Sequence, residues 1–445
     1  MILSNRIIFS FFISFFSFTA NAQTTTSKQT VNYEAATWKL GMFVKPELIV
    51  SNTPPDAVHA KAELKLLQTQ INKLDESKLA AIKYWDAGAP AYRWNEIAPK
   101  LIEQQPQTLL RMPAAWMNIA IYDATILAWK EKLKYKRQRP AILNTVVKAP
   151  LTYSYPCEHT VTASAAATVL AYFFPEKADS ILQMAHAAAQ SRIDAGVQFP
   201  SDIEAAWKLG EQVAKLIIEK AKNDGSEKIW DGTINKGVKK WTGNYPVGIT
   251  AATFSPIVLK SVSQFRPLPP PTFEGEMKEL NNFTRTFASN SNAYFWANIA
   301  GVDFWTAMAS LKMFENRMSD DAPAVARIYA TLYVANHDAV ISIFDAKYAY
   351  WGIRPFQYDS TYKPLISTPP FPGYPSGHAI GASTSSTVLA YFFPADAKQF
   401  RELAKECAQS RFDAGIHFRT DNEVGLQMGN EIGKYIIETL LNTKK

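Results

Sequence analysis

Part of the chain repeats itself, and this repeat limits the folds that the sequence can adopt. Residues 156–202 align with residues 375–421 without a gap, and 23 of the 47 aligned positions are identical. Both copies contain the sequence Thr-Val-Leu-Ala-Tyr-Phe-Phe-Pro, and both contain Gln-Ser-Arg-x-Asp-Ala-Gly. Self-similarity of this extent indicates two structural units with the same local fold.

The two copies differ at their polar positions. The late copy reads Pro-Ser-Gly-His at residues 375–378, whereas the early copy reads Pro-Cys-Glu-His at residues 156–159 and has Gln198 at the position of His417. A glutamine cannot act as a nucleophilic or metal-binding imidazole, and Glu158 adds a negative charge where an anion would bind. We therefore expect a working anion site in the late copy and buried polar packing in the early copy.

Apolar residues recur at helical spacing through both copies. Ile203, Ala206, Val213 and Ile217 fall on one face of a predicted helix. Almost no segment alternates with the period of two that a half-buried strand requires. The fold class predicted from this pattern is all-α, with two pseudo-equivalent helical bundles from an internal duplication.

Composition along the chain divides it further. Glycine and proline are dense between the two copies, where the helical periodicity fades, and this is typical of a connection that packs on the surface. The predicted segments are a signal peptide at 1–22, an N-terminal helical segment at 23–100, a first, degenerate repeat at 101–223, a Pro/Gly-rich connecting segment at 224–279, and a second repeat with the intact site at 280–445.

The first 22 residues have the form of a secretion signal. Arg6 supplies the positive start, residues 7–19 the apolar stretch, and Ala20-Asn21-Ala22 the small-residue cleavage site. No later segment offers the roughly 20 uninterrupted apolar residues that a membrane span needs. We predict a secreted or periplasmic protein that has no membrane span after cleavage near Ala22.

The charge balance favours small anions as ligands. Lysine and arginine number 47 against 40 acidic residues, a net charge of +7. No basic run interleaved with aromatic residues predicts a nucleic-acid partner. The absence of His-Glu-x-x-His and Cys-x-x-Cys spacings argues against a metal ion held by the protein alone. The sequence leaves open the oligomeric state and whether Cys157 and Cys407 are bonded.

Residues that suit a tetrahedral oxyanion gather in the late copy. Guanidinium groups bind paired oxygens, and a helix start presents free amide groups and a partial positive charge. Asp421 follows His417 by four residues, so it can accept a hydrogen bond from one ring nitrogen and leave the other free. The candidate residues are Lys347, Arg354, Ser376, Gly377, His378, Arg411, His417 and Asp421.

These residues form three motifs that resemble the signature of the type-2 phosphatidic acid phosphatase and vanadium haloperoxidase superfamily. The motifs are Lys-x6-Arg-Pro from Lys347, Pro-Ser-Gly-His from Pro375, and Ser-Arg-x5-His-x3-Asp from Ser410. The duplicated organisation resembles the soluble haloperoxidase branch. So does Gln-Phe-Arg-Pro-Leu-Pro-Pro-Pro at residues 264–271, which Ala-Tyr-Phe-Trp follows at residues 293–296.

The resemblance implies a role for each candidate. His417 would bond to the vanadium of bound vanadate, or attack phosphorus in a phosphatase, with Asp421 supporting its ring. His378 would act as general acid–base. The oxyanion oxygens would be held by Lys347, Arg354, Ser376, Gly377 and Arg411.

The resemblance also places further residues near the site. Asn298 or Asp303 would support His378, and the sequence leaves the choice between them open. Trp351 would line the halide side, and Phe371 and Tyr374 would shape the mouth of the pocket.

Three functions follow from these expectations. The first is a vanadate-dependent haloperoxidase that oxidises halide with hydrogen peroxide. The second is an acid phosphatase that hydrolyses small phosphate esters through a phosphohistidine and needs no cofactor. The third is a non-catalytic, secreted oxyanion-binding protein. Vanadate mimics the phosphoryl transition state, so the motifs do not separate the first two; the halide preference and the natural organic substrate also stay open.

Overall fold

Helices form the regular structure of this chain. The computed structural model describes residues 31–39, 44–50, 52–105, 112–142, 145–235, 237–298 and 301–441, and no β-strand forms within these ranges. The predicted signal peptide at 1–22 lies outside them. The α-helices of the described ranges are α1 (Ala57–Ile71), α2 (Glu76–Trp85), α3 (Ala91–Gln104), α4 (Pro113–Tyr135), α5 (Glu158–Phe173), α6 (Ala178–Asp194), α7 (Pro200–Ala221), α8 (Glu274–Asn282), α9 (Phe287–Asn298), α10 (Val302–Glu315), α11 (Ala322–Tyr350), α12 (Pro355–Tyr358), α13 (Gly377–Phe392), α14 (Ala397–Asp413) and α15 (Arg419–Leu440).

The two copies of the repeat fold alike. Helices α5, α6 and α7 begin and end at the same repeat positions as α13, α14 and α15. Helices α5 and α13 both stop one residue before a Phe-Pro pair, because Pro175 and Pro394 lack the N–H group that would continue the helix. The longer helices α4 and α11 each end at a residue with a left-handed backbone, Lys136 and Trp351. The predicted all-α class with two pseudo-equivalent bundles is confirmed.

A close helix contact fixes the start of α15 beside the start of α13. A Cβ atom at Gly429 would lie 2.3 Å from the carbonyl oxygen of Ile380, so only glycine allows the two helices to approach this closely. Gly210 makes the equivalent approach in the early copy, at 2.5 Å from the carbonyl oxygen of Val161. The contact brings Asp421, in the first turn of α15, next to the residues that begin α13.

Both copies contribute to the same hydrophobic core cluster. On the facing helices α4 and α11, the ring of Trp116 meets that of His337 edge-on, with centroids 5.8 Å apart. Cys157 and Cys407 are buried and unbonded. Within the described ranges, no helix combines the length and the apolar character that crossing a bilayer requires. The segment boundaries drawn from the sequence stay a prediction.

Helix α11 anchors the connecting segment. The buried carboxylate of Asp338 accepts hydrogen bonds from the backbone N–H groups of Ile257, Val258 and Leu259, at 2.8, 2.7 and 2.8 Å. Two helical turns further on, Asp345 pairs with Arg266 at 2.6 Å. The segment therefore packs along the helix that also carries Lys347.

We expect Asp338→Ala to lower the free energy of unfolding by about 3 kcal/mol, because three buried amide donors lose their acceptor. Asp338→Asn is the matched control, since its amide oxygen keeps one acceptor and the side-chain volume. Urea denaturation of both variants measures the difference. A loss below about 0.5 kcal/mol in the alanine variant, the range of ordinary surface substitutions, would contradict the anchoring role.

Candidate active site

A cavity of about 200 Å³ lies against α11 and the start of α13. Its polar lining includes the side chains of Lys347, His378 and His417, together with Gly377. The other walls are mainly apolar and include four aromatic and two aliphatic side chains: Trp296, Trp305, Phe344, Phe371, Val340 and Ile343. The cavity thus combines a cationic side with apolar walls.

Arg354 holds the imidazole of His417 directly. It is the residue before helix α12, and its Nη1 group donates to the carbonyl oxygen of Ile416 at 2.8 Å and to Nε2 of His417 at 2.9 Å. Its Nη2 group is buried and has no hydrogen-bond partner in the described structure. Burial lowers the pKa of Arg354 to about 10, so the guanidinium stays charged at neutral pH.

These contacts determine the tautomer of His417. A guanidinium N–H can only donate, so Nε2 must carry the lone pair, and the ring proton sits on Nδ1. Nδ1 donates to Oδ2 of Asp421 at 2.8 Å. Burial lowers the pKa of His417 well below the ordinary histidine value, and the charges of Arg354 and Lys347 lower it further. The ring is therefore neutral, with its acceptor nitrogen beside the cavity.

Asp421 connects the starts of two helices. Its Oδ2 atom accepts from His417 and, at 3.2 Å, from the backbone N–H of Phe418, which caps α15. Its backbone carbonyl accepts from the N–H of Ser376 at 2.9 Å. Burial raises the pKa of this carboxyl, and the charges of Lys347 and Arg354 act in the opposite direction.

Lys347 lies in the last turn of α11 and is fully buried. Its ammonium group donates to the carbonyl oxygens of Pro372, Gly373 and Pro375, at 2.7, 2.8 and 2.8 Å. An ammonium group has three N–H donors, so all of them are engaged with the backbone. In this arrangement Lys347 acts on the cavity through its charge. It can donate a hydrogen bond to a ligand only if it gives up its bond to one of the three carbonyl oxygens.

The start of α13 leaves a hydroxyl group available. Ser376 is the residue before the helix, yet its side chain makes no capping bond, and its buried Oγ atom has no partner in the described structure. Gly377 is not forced by close packing, because a Cβ atom there would meet Cγ2 of Ile343 at 3.4 Å, an ordinary contact. What glycine provides at this position is room beside Lys347.

The charge of Arg411 acts on His378. Burial lowers the pKa of His378 to about 3, with further lowering by the charge of Arg411 and then of Lys347. Arg411 is itself held by Oγ of Ser410 and by the carbonyl oxygen of Ala293, both at 2.9 Å. The charge of Arg411 therefore acts on His378 from a fixed position.

The structure brings all eight candidate residues to this one region, and it separates some of the accessory ones. Trp351 is not among the lining residues and packs instead against Trp241 and Tyr348, so the predicted halide-side position is wrong. The hydroxyl group of Tyr374 donates to the carbonyl oxygen of Leu268, and Tyr374 is not among the lining residues, whereas Phe371 lines the cavity.

Asn298 and Asp303 are the two candidates to support His378. Within the described structure, neither contacts it. Asn298 is exposed and donates to the carbonyl oxygen of Tyr294 at 3.0 Å. Asp303 is exposed at the start of α10 and does not line the cavity. The sequence reasoning missed the lining residues Phe344, Trp305 and Cys407. Phe344 had a signal, since it precedes Lys347 by three residues on the same helix face.

The charge of the cluster suits a multiply charged oxyanion. The buried side chains of this region include three basic ones (Lys347, Arg354 and Arg411) and one carboxyl group, that of Asp421. Counted as formal charges, these four groups leave two positive charges uncompensated. Nη2 of Arg354 and Oγ of Ser376 are buried donors that need an acceptor. Among the described residues, no set of three or more His, Cys, Asp or Glu side chains could hold a metal ion.

The early copy contains the same arrangement with a carboxylate inside it. Lys132 donates to Oε2 of Glu158 at 2.9 Å, and Nη2 of Arg139 donates to its Oε1 at 2.7 Å. Lys132 and Arg139 begin and end a Lys-x6-Arg motif followed by proline, as Lys347 and Arg354 do in the late copy. In the early copy, the lysine and the arginine of this motif therefore already bind an anion, the carboxylate of Glu158.

Gln198 takes the structural place of His417 in the early copy. Its amide satisfies its neighbours when the nitrogen donates to Oδ2 of Asp202 at 2.8 Å and the oxygen accepts from Nη1 of Arg139. His417 makes the same two connections, to Asp421 and Arg354. Gln198 therefore keeps the hydrogen-bonded link between an arginine and an aspartate, but it has no imidazole.

Two segments of the chain match family models. Residues 394–443 match the VCPO second helical-bundle domain, and residues 103–225 match the PAP2 superfamily. The second match covers the early copy. None of the curated proteins matches the chain.

Solved structures share the fold. A bacterial vanadium-dependent iodoperoxidase is 21% identical with a TM-score of 0.60, and the match covers 85% of this chain and 96% of that one. A holo-type bacterial vanadium-dependent chloroperoxidase is 15% identical with a TM-score of 0.56, over 75% of this chain and 92% of that one. An apo-type form of such a chloroperoxidase is 14% identical, also with a TM-score of 0.56. At these identities the likeness establishes the fold.

Proposed function

Because this chain resembles the type-2 phosphatidic acid phosphatase and vanadium haloperoxidase superfamily in its motifs, matched segments and fold, we propose that it is an exported, vanadate-dependent haloperoxidase. It would oxidise halide with hydrogen peroxide. The observation that carries the proposal is the geometry around His417, where an unprotonated Nε2 atom, fixed guanidinium groups and unpartnered buried donors meet beside one cavity. The overall similarity to solved haloperoxidases supports this branch.

Vanadate fits the residues that are present. A doubly charged oxyanion would balance the two uncompensated positive charges of the cluster. It would also provide acceptors for Nη2 of Arg354 and Oγ of Ser376, which are buried without partners. The carboxylate of Glu158 between Lys132 and Arg139 supports the fit, because an anion already binds the equivalent cations there.

The protein residues would divide the work as follows. His417 would bond to vanadium through Nε2, and its present partner Arg354 would turn toward the oxygens of the ligand. Asp421 would keep the proton on Nδ1, so that the bonding nitrogen stays available. Bound vanadate would supply an electrophilic centre at which peroxide becomes reactive toward halide.

His378 would move protons at the cavity side of this cluster. Its pKa of about 3 reflects burial and the neighbouring cations, chiefly Arg411. A bound oxyanion would cancel part of that positive charge, and the pKa of His378 would rise toward the working range. His378 would then take a proton from peroxide and return it to the departing oxygen.

The apolar walls would protect the reacting groups. Trp296, Phe344 and Phe371 line the cavity next to the imidazoles. Exclusion of water strengthens the interaction between the cations and the bound oxyanion, since the local dielectric constant falls.

A phosphatase is the second candidate, supported by the match of residues 103–225 to the PAP2 superfamily and by the neutral Nε2 of His417. The same lone pair would attack phosphorus, and His378 would protonate the leaving alcohol. The fold similarity to haloperoxidases is the reason for placing this candidate second.

A paired assay on one preparation separates the two functions. The apo-protein is tested for hydrolysis of a chromogenic phosphate ester, then refilled with orthovanadate and tested for peroxide-dependent oxidation of iodide and bromide. We expect halide oxidation only after vanadate is added, and no ester hydrolysis before it. Ester hydrolysis that vanadate suppresses, without halide oxidation, would select the phosphatase. Vanadate binding with neither activity would select a binding protein.

A further inference from the structure

We propose that the early copy of the repeat contains a second oxyanion site, which the chain fills with the side chain of Glu158. Glu158 acts there as an intramolecular ligand, in the position that an external oxyanion takes in the late copy. The class of ligand that the site would take without Glu158 is a small oxyanion, either a phosphate-like group or a carboxylate.

The contacts of Glu158 are those of a bound anion. Its two oxygens divide between Lys132, at 2.9 Å, and Arg139, at 2.7 Å. The carboxylate is almost entirely shielded from solvent, with 4% of the residue exposed. Burial would raise the pKa of Glu158, but the charges of Arg139 and Lys132 hold it well below the ordinary glutamate value. The side chain is therefore an ion at any physiological pH.

The frame around this carboxylate matches the late site part by part. Lys132, Arg139 and Asp202 take the places of Lys347, Arg354 and Asp421, and Gln198 bridges as His417 does. Glu158 itself stands at the position of Gly377. The change from glycine to glutamate thus converts an open anion site into one that carries its own anion.

The third cation of the early copy has also lost its availability. Arg192, at the position of Arg411, pairs with Asp86 at 2.6 Å. The late arginine makes its contacts with a hydroxyl and a backbone carbonyl instead. An opened early site would therefore have two free cations, so we expect it to bind oxyanions more weakly than the late site does.

The test transfers the late residue into the early copy as Glu158→Gly. Calorimetric titration of the full chain with inorganic phosphate at neutral pH should show one more bound equivalent per chain than the wild type binds. Acetate, which resembles the lost side chain, should compete for that added equivalent. Glu158→Gln is the matched control, because it fills the site without the charge and should add no equivalent. A folded Glu158→Gly protein with the wild-type stoichiometry overturns the proposal.

Thermal unfolding provides the second readout, since Glu158→Gly leaves two buried cations unpaired. We expect its midpoint to fall without anion and to rise with phosphate by more than the wild-type midpoint does. Equal shifts in both proteins, or a variant that phosphate does not restore to the folded state, would refute the role of Glu158 as a ligand. Neither readout depends on peroxidase or phosphatase activity, so the two proposals fail separately.

The reciprocal substitution, Gly377→Glu, places a carboxylate in the late site. The backbone tolerates a side chain there, because the nearest atom to a new Cβ is 3.4 Å away. We expect the late site to lose phosphate affinity by at least about tenfold, as one buried charge pair excludes a competing anion. Gly377→Gln, of the same size, should lose less. Equal losses in both variants would show that bulk, not charge, closes the site.

Discussion

His417→Ala should lower turnover on the order of 10⁴-fold or more, whichever of the two reactions the protein catalyses. The imidazole Nε2 atom is the one unprotonated nitrogen that Arg354 and Asp421 hold in a fixed orientation beside the cavity. In the proposed mechanism this nitrogen forms the bond to vanadium or phosphorus. Losses of this size are typical when the covalent member of a catalytic set is removed. Steady-state rates with saturating vanadate, or with a phosphate ester, measure the effect.

The repeat supplies an unusually direct pair of controls. His417→Gln copies the early copy, where Gln198 keeps the bridge between an arginine and an aspartate. We expect this variant to unfold at nearly the wild-type temperature and yet be inactive, which separates the chemistry of the ring from its structural role. Gln198→Ala should leave turnover nearly unchanged once rates are corrected for the folded fraction. An active His417→Gln enzyme would rule out the assignment of the imidazole.

Arg354→Ala should weaken vanadate binding on the order of 100-fold. The guanidinium is fully buried, contacts His417 and has one free N–H edge, so its loss removes a charge-assisted bond of about 3 kcal/mol. Arg354→Lys keeps the charge but not the fork-shaped donor pair, and we expect it to recover only part of the affinity. Equilibrium dialysis or quenching of tryptophan fluorescence by vanadate gives the dissociation constants.

Arg401→Ala is the control for net charge, because Arg401 is exposed on α14. It should change vanadate affinity by less than about twofold, since exposed charges are screened by salt. If Arg401→Ala weakened binding as much as Arg354→Ala, long-range charge and not direct contact with Arg354 would account for the affinity.

The sequence could group the candidate residues because they fall at helix ends. Lys347 lies in the last turn of α11, Ser376 and Gly377 at the start of α13, and Asp421 in the first turn of α15. Prolines, glycines and the end of helical periodicity predict where helices begin and end. The repeat then shows which helix ends are equivalent in the two copies. The fold class was predictable for the same reason.

What the sequence did not contain is the set of contacts made by irregular segments and by distant helices. The engagement of Lys347 with three carbonyls depends on the path of residues 372–375, which no periodicity specifies. Trp305 reaches the cavity through the packing of α10. Trp351 turns away because α11 ends there in a left-handed residue, a local feature that the motif spacing does not reveal.

Asp421 receives the N–H of Ser376 on its main chain and the ring of His417 on its side chain. One residue thereby sets the separation between a hydroxyl-bearing helix start and the bonding nitrogen, so these two groups are preorganised, and the rearrangement that an ion requires falls on Arg354 and Lys347. Differences in oxyanion affinity among variants would come mainly from the dissociation rate of the complex.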